Sequence, residues 1–298
     1  MINNLINELV QKYCGSEVTS IIEIFGGYRN KVYHVYTNNG ELIIKKHRPF
    51  RDKDDFKNEV NAYKMLGEYG CRIPSFLFAD DAERILGIQK LNGGTLEEKQ
   101  PVDYYLETIN LISDTYQKTK HLVNDGTLSF RRLPEEIFEG IQLLEANGGF
   151  NLSESFRNYA QRCYDMLAKT PTRLSIGSFI PSNVIRLTQD YHIDLELVSF
   201  GRPSDDLAYF SLYSGVNIFK VPTDSLVSLD IPEDLFLASM MHLGTLASGI
   251  YLSDLKENLG EEQRKMIRRR INNFSSVLFE LGKPGFEELA ERLEKKKW

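Results

Sequence analysis

The 298-residue sequence has only three cysteines, Cys14, Cys71 and Cys163, and no CxxC pair. An odd number of widely spaced cysteines does not build a disulfide framework or a cysteine-ligated zinc site, and it is typical of a protein kept reduced. The five histidines likewise lack metal-ligand spacing. We therefore expect a cytoplasmic protein and no metal centre built on histidine.

Positive charge and long apolar runs are also scarce. The chain has 36 Lys and Arg against 42 Asp and Glu, for a formal net charge of −6. No part of it carries the basic excess that nucleic-acid binding requires. No stretch approaches the roughly 20 apolar residues of a membrane span. The first 14 residues have the helical spacing of an amphipathic helix rather than a signal peptide. We expect neither a nucleic-acid nor a membrane partner.

Hydrophobic residues make up 42% of the sequence and charged residues 26%, which is ordinary for a globular protein with a hydrophobic core. In the first third of the chain, short segments with strand-like alternation of side chains predict β-strands, and Asn39-Gly40 predicts a hairpin turn between two of them. Helical periodicity dominates from about Gly93. This order predicts an α+β, bilobal fold. Residues 1–91 are expected to form an N-lobe with the N-terminal helix, a small antiparallel sheet and one Glu-bearing helix, and residues 92–298 a mostly helical C-lobe.

A glycine pair lies between two predicted strands in the segment FGGYRNKVYHV. At Gly26 and Gly27 no side chain would keep backbone amides from approaching phosphate oxygens. Arg29 and Asn30 belong to the same turn, and Arg29 could contact a phosphate without a metal. A plain Gly-Gly hairpin is the alternative interpretation.

Lys45 ends the apolar strand ELIIKK directly after the Asn-Gly turn. A lysine at this place reaches the phosphates of a nucleotide held under a glycine turn, whereas simple solvent exposure is the alternative. Glu59 lies three residues after Phe56 and four before Tyr63, on the apolar stripe of a predicted helix. A carboxylate on an inward stripe needs a partner, and we predict that its partner is Lys45.

The segment RLSIGSFIPSNVI has the spacing of a kinase catalytic loop without its acid. Such a loop places an Asp base five residues before a metal-binding Asn, and here these positions hold Ser178 and Asn183. Further on, LVSFGRPSDDLAYF has Ser199 where a kinase D-F-G motif has its metal-binding Asp. Two motifs in the right order thus carry Ser in place of Asp.

Together these segments resemble the aminoglycoside phosphotransferase and choline-kinase-like superfamily over roughly residues 20 to 212. The resemblance extends to LGIQKLNGGTL, which is similar to that family's hinge. It implies a bilobal protein-kinase-like fold with a nucleotide-binding cleft between the lobes. The residues that it assigns to the nucleotide are Gly26, Gly27, Arg29, Asn30, Lys45, Glu59, Gln89 and Leu91.

The same resemblance assigns the remaining site positions. The family's loop His is Ile176 here, its base Asp is Ser178, and its metal-binding Asp is Ser199. Asn183 remains as a catalytic-loop residue and metal ligand. Asp206 also remains, and in the family it supports the loop backbone rather than the chemistry.

The absence of these acids implies slow catalysis and weak Mg²⁺ binding. A general base contributes about 10²–10⁴ in rate, and Mg²⁺ usually takes one or two carboxylates besides phosphate oxygens. Asn183 supplies no charge, so the sequence argues against a strong Mg²⁺ site.

Three hypotheses follow. The favoured one is a pseudokinase-like protein that binds ATP or another nucleotide, a small molecule or a peptide in the cleft and acts through a protein or peptide partner. The second is an active ATP-dependent phosphotransferase with unusual catalytic residues, acting on a small-molecule or peptide hydroxyl. The third is a scaffold without a ligand, in which the predicted Lys45–Glu59 pair is only structural.

Overall fold

The structure is a computed structural model of the chain. It describes residues 2–24, 30–48, 55–128, 130–131, 133–218, 229–257 and 259–295. The α-helices within these residues are α1 (Ile2–Cys14), α2 (Asp55–Glu68), α3 (Leu106–Thr119), α4 (Glu136–Gly148), α5 (Glu154–Lys169), α6 (Pro203–Ser214), α7 (Glu233–Asp254), α8 (Glu261–Glu280) and α9 (Pro284–Lys295). Short 3₁₀ helices cover Val102–Tyr105 and Pro181–Asn183.

A five-stranded antiparallel sheet forms the N-lobe in the order β1-β2-β3-β5-β4. Its strands are β1 (Val18–Ile24), β2 (Lys31–Thr37), β3 (Gly40–Lys46), β4 (Phe76–Asp80) and β5 (Ile85–Gln89). The tight turn between β2 and β3 pairs Thr37 with Gly40, whose φ of +140° favours glycine. The hairpin predicted from Asn39-Gly40 is confirmed.

Helices cover both faces of this sheet because successive strand side chains point to opposite sides. On one face α1 packs against residues such as Tyr33 and Ile44. On the other face α2 contributes Phe56 to the larger core, which also contains Leu86 of β5. Lys45 follows Ile44 along β3, so its side chain points to the α2 side.

Two small sheets support the segment that contains the predicted catalytic loop. In one, β9 (Val184–Arg186) lies between β6 (Gly94–Thr95) and β10 (Asp190–His192). In the other, β11 (Ser199–Gly201) pairs parallel with β7 (Phe130–Arg131) and antiparallel with β8 (Arg173–Ser175). The loop is therefore fixed at both ends by strands.

The C-lobe core is built on the close approach of α4 and α7. A Cβ atom at Gly140 would lie 2.5 Å from the backbone nitrogen of Leu246. Among the described residues, α7 is long and apolar enough to cross a membrane, an exception to the sequence expectation. However, 83% of its most apolar 18-residue window is buried inside the fold, as in a core helix of a soluble protein.

The architecture confirms the predicted α+β bilobal kinase-like fold. The sheet and α2 precede the helical part in the chain, and β6 is the first strand to pair with the C-terminal part. The boundary between residues 91 and 92 stays a prediction.

Candidate functional site

The structure forms the predicted pair between the end of β3 and the inner face of α2. Lys45 Nζ lies 2.9 Å from Oε1 and 2.8 Å from Oε2 of Glu59. Lys45 is 8% exposed and Glu59 is fully buried. Burial alone would raise the pKa of Glu59, but Lys45 and His47 outweigh it and hold that pKa at about 2. Glu59 therefore stays ionised.

Asp194, in the loop after β10, joins this pair. Its Oδ1 lies 2.6 Å from Lys45 Nζ, and its Oδ2 lies 3.5 Å from Nδ2 of Asn183. Burial would lower the pKa of Lys45, but Asp194 and Glu59 hold it well above its ordinary value. The Asp194 side chain is 35% exposed, so a ligand in the cleft can reach it.

The backbone at Asp194 is itself unusual. Its φ of +64° lies in the left-handed region, which residues other than glycine rarely adopt. Such residues concentrate at functional sites, where the surrounding structure holds them in place. Sequence reasoning did not identify Asp194. The signal was an acid directly after the short segment that ends in His192-Ile193, eleven positions after Asn183.

The structure places Ser199 away from these side chains. Ser199 pairs with Ser175 inside a small sheet and is fully buried. With no exposed surface, its hydroxyl offers no ligand atom to the cleft. The assignment of Ser199 to the metal-binding position stays a prediction, and the carboxylate that lies beside Asn183 is that of Asp194, five residues earlier.

Ser178 keeps the loop closed but supplies no base. Its Oγ donates to the backbone carbonyl of Asp194 at 2.7 Å, and Nδ2 of Asn183 donates to the backbone carbonyl of Ser178 at 3.1 Å. Ser178 is 4% exposed. A serine hydroxyl is not basic near neutral pH, so this position cannot accept a proton as a carboxylate would.

Asp206, on the first turn of α6, holds the loop backbone. Its carboxylate accepts hydrogen bonds from the backbone nitrogens of Ile176 and Gly177 at 3.0 and 2.9 Å. It also accepts one from Ser175 Oγ at 3.0 Å. Burial raises the pKa of Asp206 to about 6, although these hydrogen bonds favour the ionised form. The geometry is the one that the resemblance implies for this residue.

The glycine turn lies partly outside the described residues. Gly26, Gly27 and Arg29 are among those not described. Asn30 is described, and its Nδ2 donates to Oε2 of Glu196 at 3.0 Å. Asn30 thus links the start of β2 to the segment that carries Asp194.

The two hinge predictions fall between the lobes. Gln89 ends β5, and its Oε1 accepts a hydrogen bond from Ser75 Oγ at 3.0 Å. Leu91 is 9% exposed, and its carbonyl accepts from Lys90 Nζ at 2.5 Å. Nucleotide contacts from both residues stay predictions.

Asp194 and Asn183 are the residues that fit a metal at this site. Nδ2 is the donor in both contacts of Asn183, so Oδ1 is the atom that would coordinate a cation. One carboxylate with one amide oxygen is a donor set that suits Mg²⁺, which keeps several waters or phosphate oxygens.

Comparisons with known proteins identify the fold. No protein-family profile matches the chain, and no curated protein matches it by sequence. The solved structures that match along nearly the whole chain include the following three. Choline kinase LicA from Streptococcus pneumoniae has a TM-score of 0.63 at 17% identity, covering 92% of this chain and 99% of that one.

The other two are also phosphotransferase structures. A choline/ethanolamine kinase family protein from Mesorhizobium loti has a TM-score of 0.61 at 14% identity, over 99% of this chain and 100% of its own. Spectinomycin phosphotransferase APH(9)-Ia, solved with ADP and spectinomycin, has a TM-score of 0.62 at 12% identity, over 98% of each chain. At these identities the likeness shows the fold: the chain has the kinase-like fold of choline kinases and aminoglycoside phosphotransferases.

Proposed function

We propose that the chain binds a nucleotide with Mg²⁺, such as Mg–ATP, between its lobes, as a pseudokinase-like protein that has lost its general base. The observation that carries this is the contact of Lys45 with both Glu59 and Asp194, with Asn183 beside Asp194. Kinases use such a strand lysine, helix glutamate, metal-binding aspartate and loop asparagine to hold the nucleotide phosphates.

This proposal revises the expectation drawn from Ser199. Because Asp194 supplies the carboxylate, Asp194 and Asn183 would together hold the Mg²⁺. The metal, when bound, neutralises phosphate charge. Lys45 would turn from Asp194 toward the phosphates while keeping Glu59. The crystal of APH(9)-Ia contains ADP, which supports a nucleotide as the ligand.

Ser178 limits the rate of phosphoryl transfer that this site could support. Loss of a base costs about 10²–10⁴ in rate. Phosphoryl transfer depends mainly on positioning and charge stabilisation, which Lys45, Asp194 and Asn183 retain. A slow ATP-dependent phosphotransferase acting on a small-molecule or peptide hydroxyl is therefore the second candidate, and retention of Asp194 favours it. A cytoplasmic location and action through a protein or peptide partner belong to the first proposal.

Calorimetric titration with ATP tests the binding. We expect the wild-type chain to bind ATP more tightly with Mg²⁺ than without it. In Asp194→Asn we expect the gain in ATP affinity on adding Mg²⁺ to be at least ten-fold smaller, because the substitution removes the carboxylate. Ser199→Ala, at the position that the motif alone indicated, is the matched control and should keep the gain.

Two results would overturn the proposal. One is an absence of ATP and ADP binding by the wild-type chain, with or without Mg²⁺. The other is an equal Mg²⁺-dependent gain in Asp194→Asn and Ser199→Ala. Circular dichroism of each variant verifies that the fold is kept.

A further inference from the structure

A second group of ligating side chains lies beside the Lys45–Glu59 pair. His47, Glu59 and Glu196 each place one ligand atom within 4.8 Å of the other two, and all three residues are buried. His47 follows β3, Glu59 lies on α2, and Glu196 lies between β10 and β11. The group therefore joins two elements of the N-lobe to the C-lobe segment that carries Asp194.

His47 is the unusual member of this group. It is 3% exposed, and its Nε2 lies 2.8 Å from Oε2 of Glu59. Neither ring nitrogen makes a hydrogen bond of acceptable geometry within the described part of the chain. The edge-on contact with Phe56, with ring centroids 5.4 Å apart, orients the imidazole. Nε2 thus faces Glu59, which belongs to the same group, whereas Nδ1 is a buried nitrogen without a hydrogen-bond partner in the described residues, for which a ligand is one physical reason.

The charges around the group favour a cation. Three carboxylates, from Glu59, Asp194 and Glu196, act on the single ammonium of Lys45. Within the described residues, three carboxylates therefore face one ammonium at this place, and the net charge is negative. Asn30 already donates to one oxygen of Glu196, which orients that carboxylate toward the group.

We propose that His47, Glu59 and Glu196 form a site for a divalent transition-metal ion of the zinc class. One imidazole nitrogen and two carboxylate oxygens are a three-ligand set that Zn²⁺ accepts, with water as the fourth ligand. Imidazole selects such ions over Mg²⁺, which prefers oxygen ligands throughout. The site is distinct from Asp194 and Asn183, and it requires no nucleotide.

Small side-chain movements complete the site. Ligand atoms around a tetrahedral Zn²⁺ lie roughly 3.3 Å apart at the usual bond lengths, so atoms now within 4.8 Å of one another must close slightly. Glu59 is shared with Lys45 Nζ, which contacts both of its oxygens at 2.9 and 2.8 Å, so one oxygen can keep Lys45 while the other turns to the metal. A bound ion would thus connect the lobes and stabilise the folded chain.

Titration of the chelator-treated full chain with Zn²⁺, without nucleotide, tests the site. We expect one tight Zn²⁺ per chain, with affinity at least ten-fold weaker in His47→Gln and in Glu196→Gln. His34→Gln is the matched control. His34 Nε2 also lies 2.8 Å from a carboxylate, that of Glu41, but no third ligating side chain joins that pair in the described residues. Its Zn²⁺ affinity should equal that of the wild type.

X-ray absorption of the zinc-loaded wild-type chain gives a second readout that needs no variant. The expected signature is one imidazole nitrogen with oxygen ligands. The proposal is overturned if the wild type binds no Zn²⁺ at micromolar concentrations, if His47→Gln binds it as tightly as His34→Gln, or if the spectrum lacks imidazole. A failed ATP titration would overturn the proposed function and leave these zinc results standing.

Discussion

At the scale of single residues, the site differs from that of an efficient kinase at Ser178. Asp194 lies beside Asn183, as the proposed metal site requires, and Asp206 holds the loop backbone through Ile176 and Gly177. The missing group is a carboxylate at position 178. If Asp194 and Asn183 hold the metal as proposed, one substitution, at position 178, separates this site from one with both a base and a metal-binding carboxylate, whereas the sequence alone indicated two.

Ser178→Asp should raise ATP turnover. A carboxylate at this position can accept the proton of an attacking hydroxyl or water, which contributes about 10²–10⁴ in rate. We expect a gain of about 10² in Mg²⁺-dependent ATP hydrolysis, because the nearby charge of Asp194 opposes a second carboxylate. Release of radiolabelled phosphate from ATP measures it.

Ser178→Asn is the control for this change. Asn has the size of Asp and also loses the 2.7 Å hydrogen bond from Ser178 Oγ to the Asp194 carbonyl, but its amide is not a base. A gain in Ser178→Asp that is no greater than in Ser178→Asn would show that the cleft lacks more than an acid.

The residue-level site was partly predictable from the sequence. Lys45 and Glu59 could be matched because strand alternation and helical spacing fix the side toward which each points. Asp194 could not, because its role depends on a left-handed backbone that brings it to Lys45, 149 positions away in sequence. The triplet Ser199-Phe200-Gly201 is similar to a D-F-G motif in sequence, and in the structure it forms the buried strand β11.

At the scale of elements, α2 is tied to the C-lobe segment by backbone contacts as well as charge. Nδ2 of Asn58 donates to the carbonyls of Glu196 and Val198, both at 2.9 Å. The backbone nitrogen of Leu195 donates to Oε1 of Glu59 at 3.2 Å. The position of Asp194 is thus set from α2, so displacement of this helix would disturb the proposed nucleotide site directly.

Glycine positions on two helices should respond oppositely to alanine. At Gly140 on α4, an added Cβ would lie 2.5 Å from the backbone of α7, so we expect Gly140→Ala to destabilise the chain by about 1–3 kcal/mol. At Gly67 on α2, nothing lies within 4 Å of an added Cβ, so we expect Gly67→Ala to stabilise it by about 0.5–1 kcal/mol.

Urea unfolding of both variants measures these changes. Gly67→Ala serves as the control for helix propensity, since both substitutions replace glycine inside a helix. A stabilised Gly140→Ala chain would contradict the close approach of α4 and α7.

Secondary-structure elements could be predicted where the pattern of apolar and polar residues repeats over several positions. The β2–β3 hairpin and α2 follow from alternation, a turn dipeptide and a helical stripe. The strands β6 and β8 to β11 span two or three residues each, which is too short for a period. They form because backbone segments that are distant in sequence pair with each other, as Gly94 does with Arg186. No local sequence pattern predicts that pairing.

At the scale of the whole molecule, two buried groups of the C-lobe give opposite pH responses. Burial lowers the pKa of His192 to about 3, below its ordinary value of 6.5. Burial raises the pKa of Asp206 to about 6, above its ordinary value of 3.8. As pH falls below 6.5, the unfolded chain binds a proton at His192 before the folded chain does, so stability is lost. As pH falls through 6, the folded chain binds a proton at Asp206 first, so stability is gained.

His192 should dominate between pH 7 and pH 5. Over this interval its contribution to the free energy of unfolding falls by about 2 kcal/mol, whereas that of Asp206 rises by about 1 kcal/mol. His192→Phe keeps an aromatic ring against Phe179, whose centroid lies 4.7 Å away, and removes the titrating group. We therefore expect this variant to lose about 2 kcal/mol less than the wild type on going from pH 7 to pH 5.

Asp206→Asn should behave in the opposite sense, since it removes the group that gains stability in acid. Its loss of unfolding free energy from pH 7 to pH 5 should exceed that of the wild type by about 1 kcal/mol. His121→Gln, at an exposed histidine, is the control and should follow the wild type. Urea unfolding at both pH values measures all four chains. Parallel pH responses in His192→Phe and the wild type would mean that the folded chain admits a proton or water at His192, and that the packing around the catalytic-loop segment is looser than the structure shows.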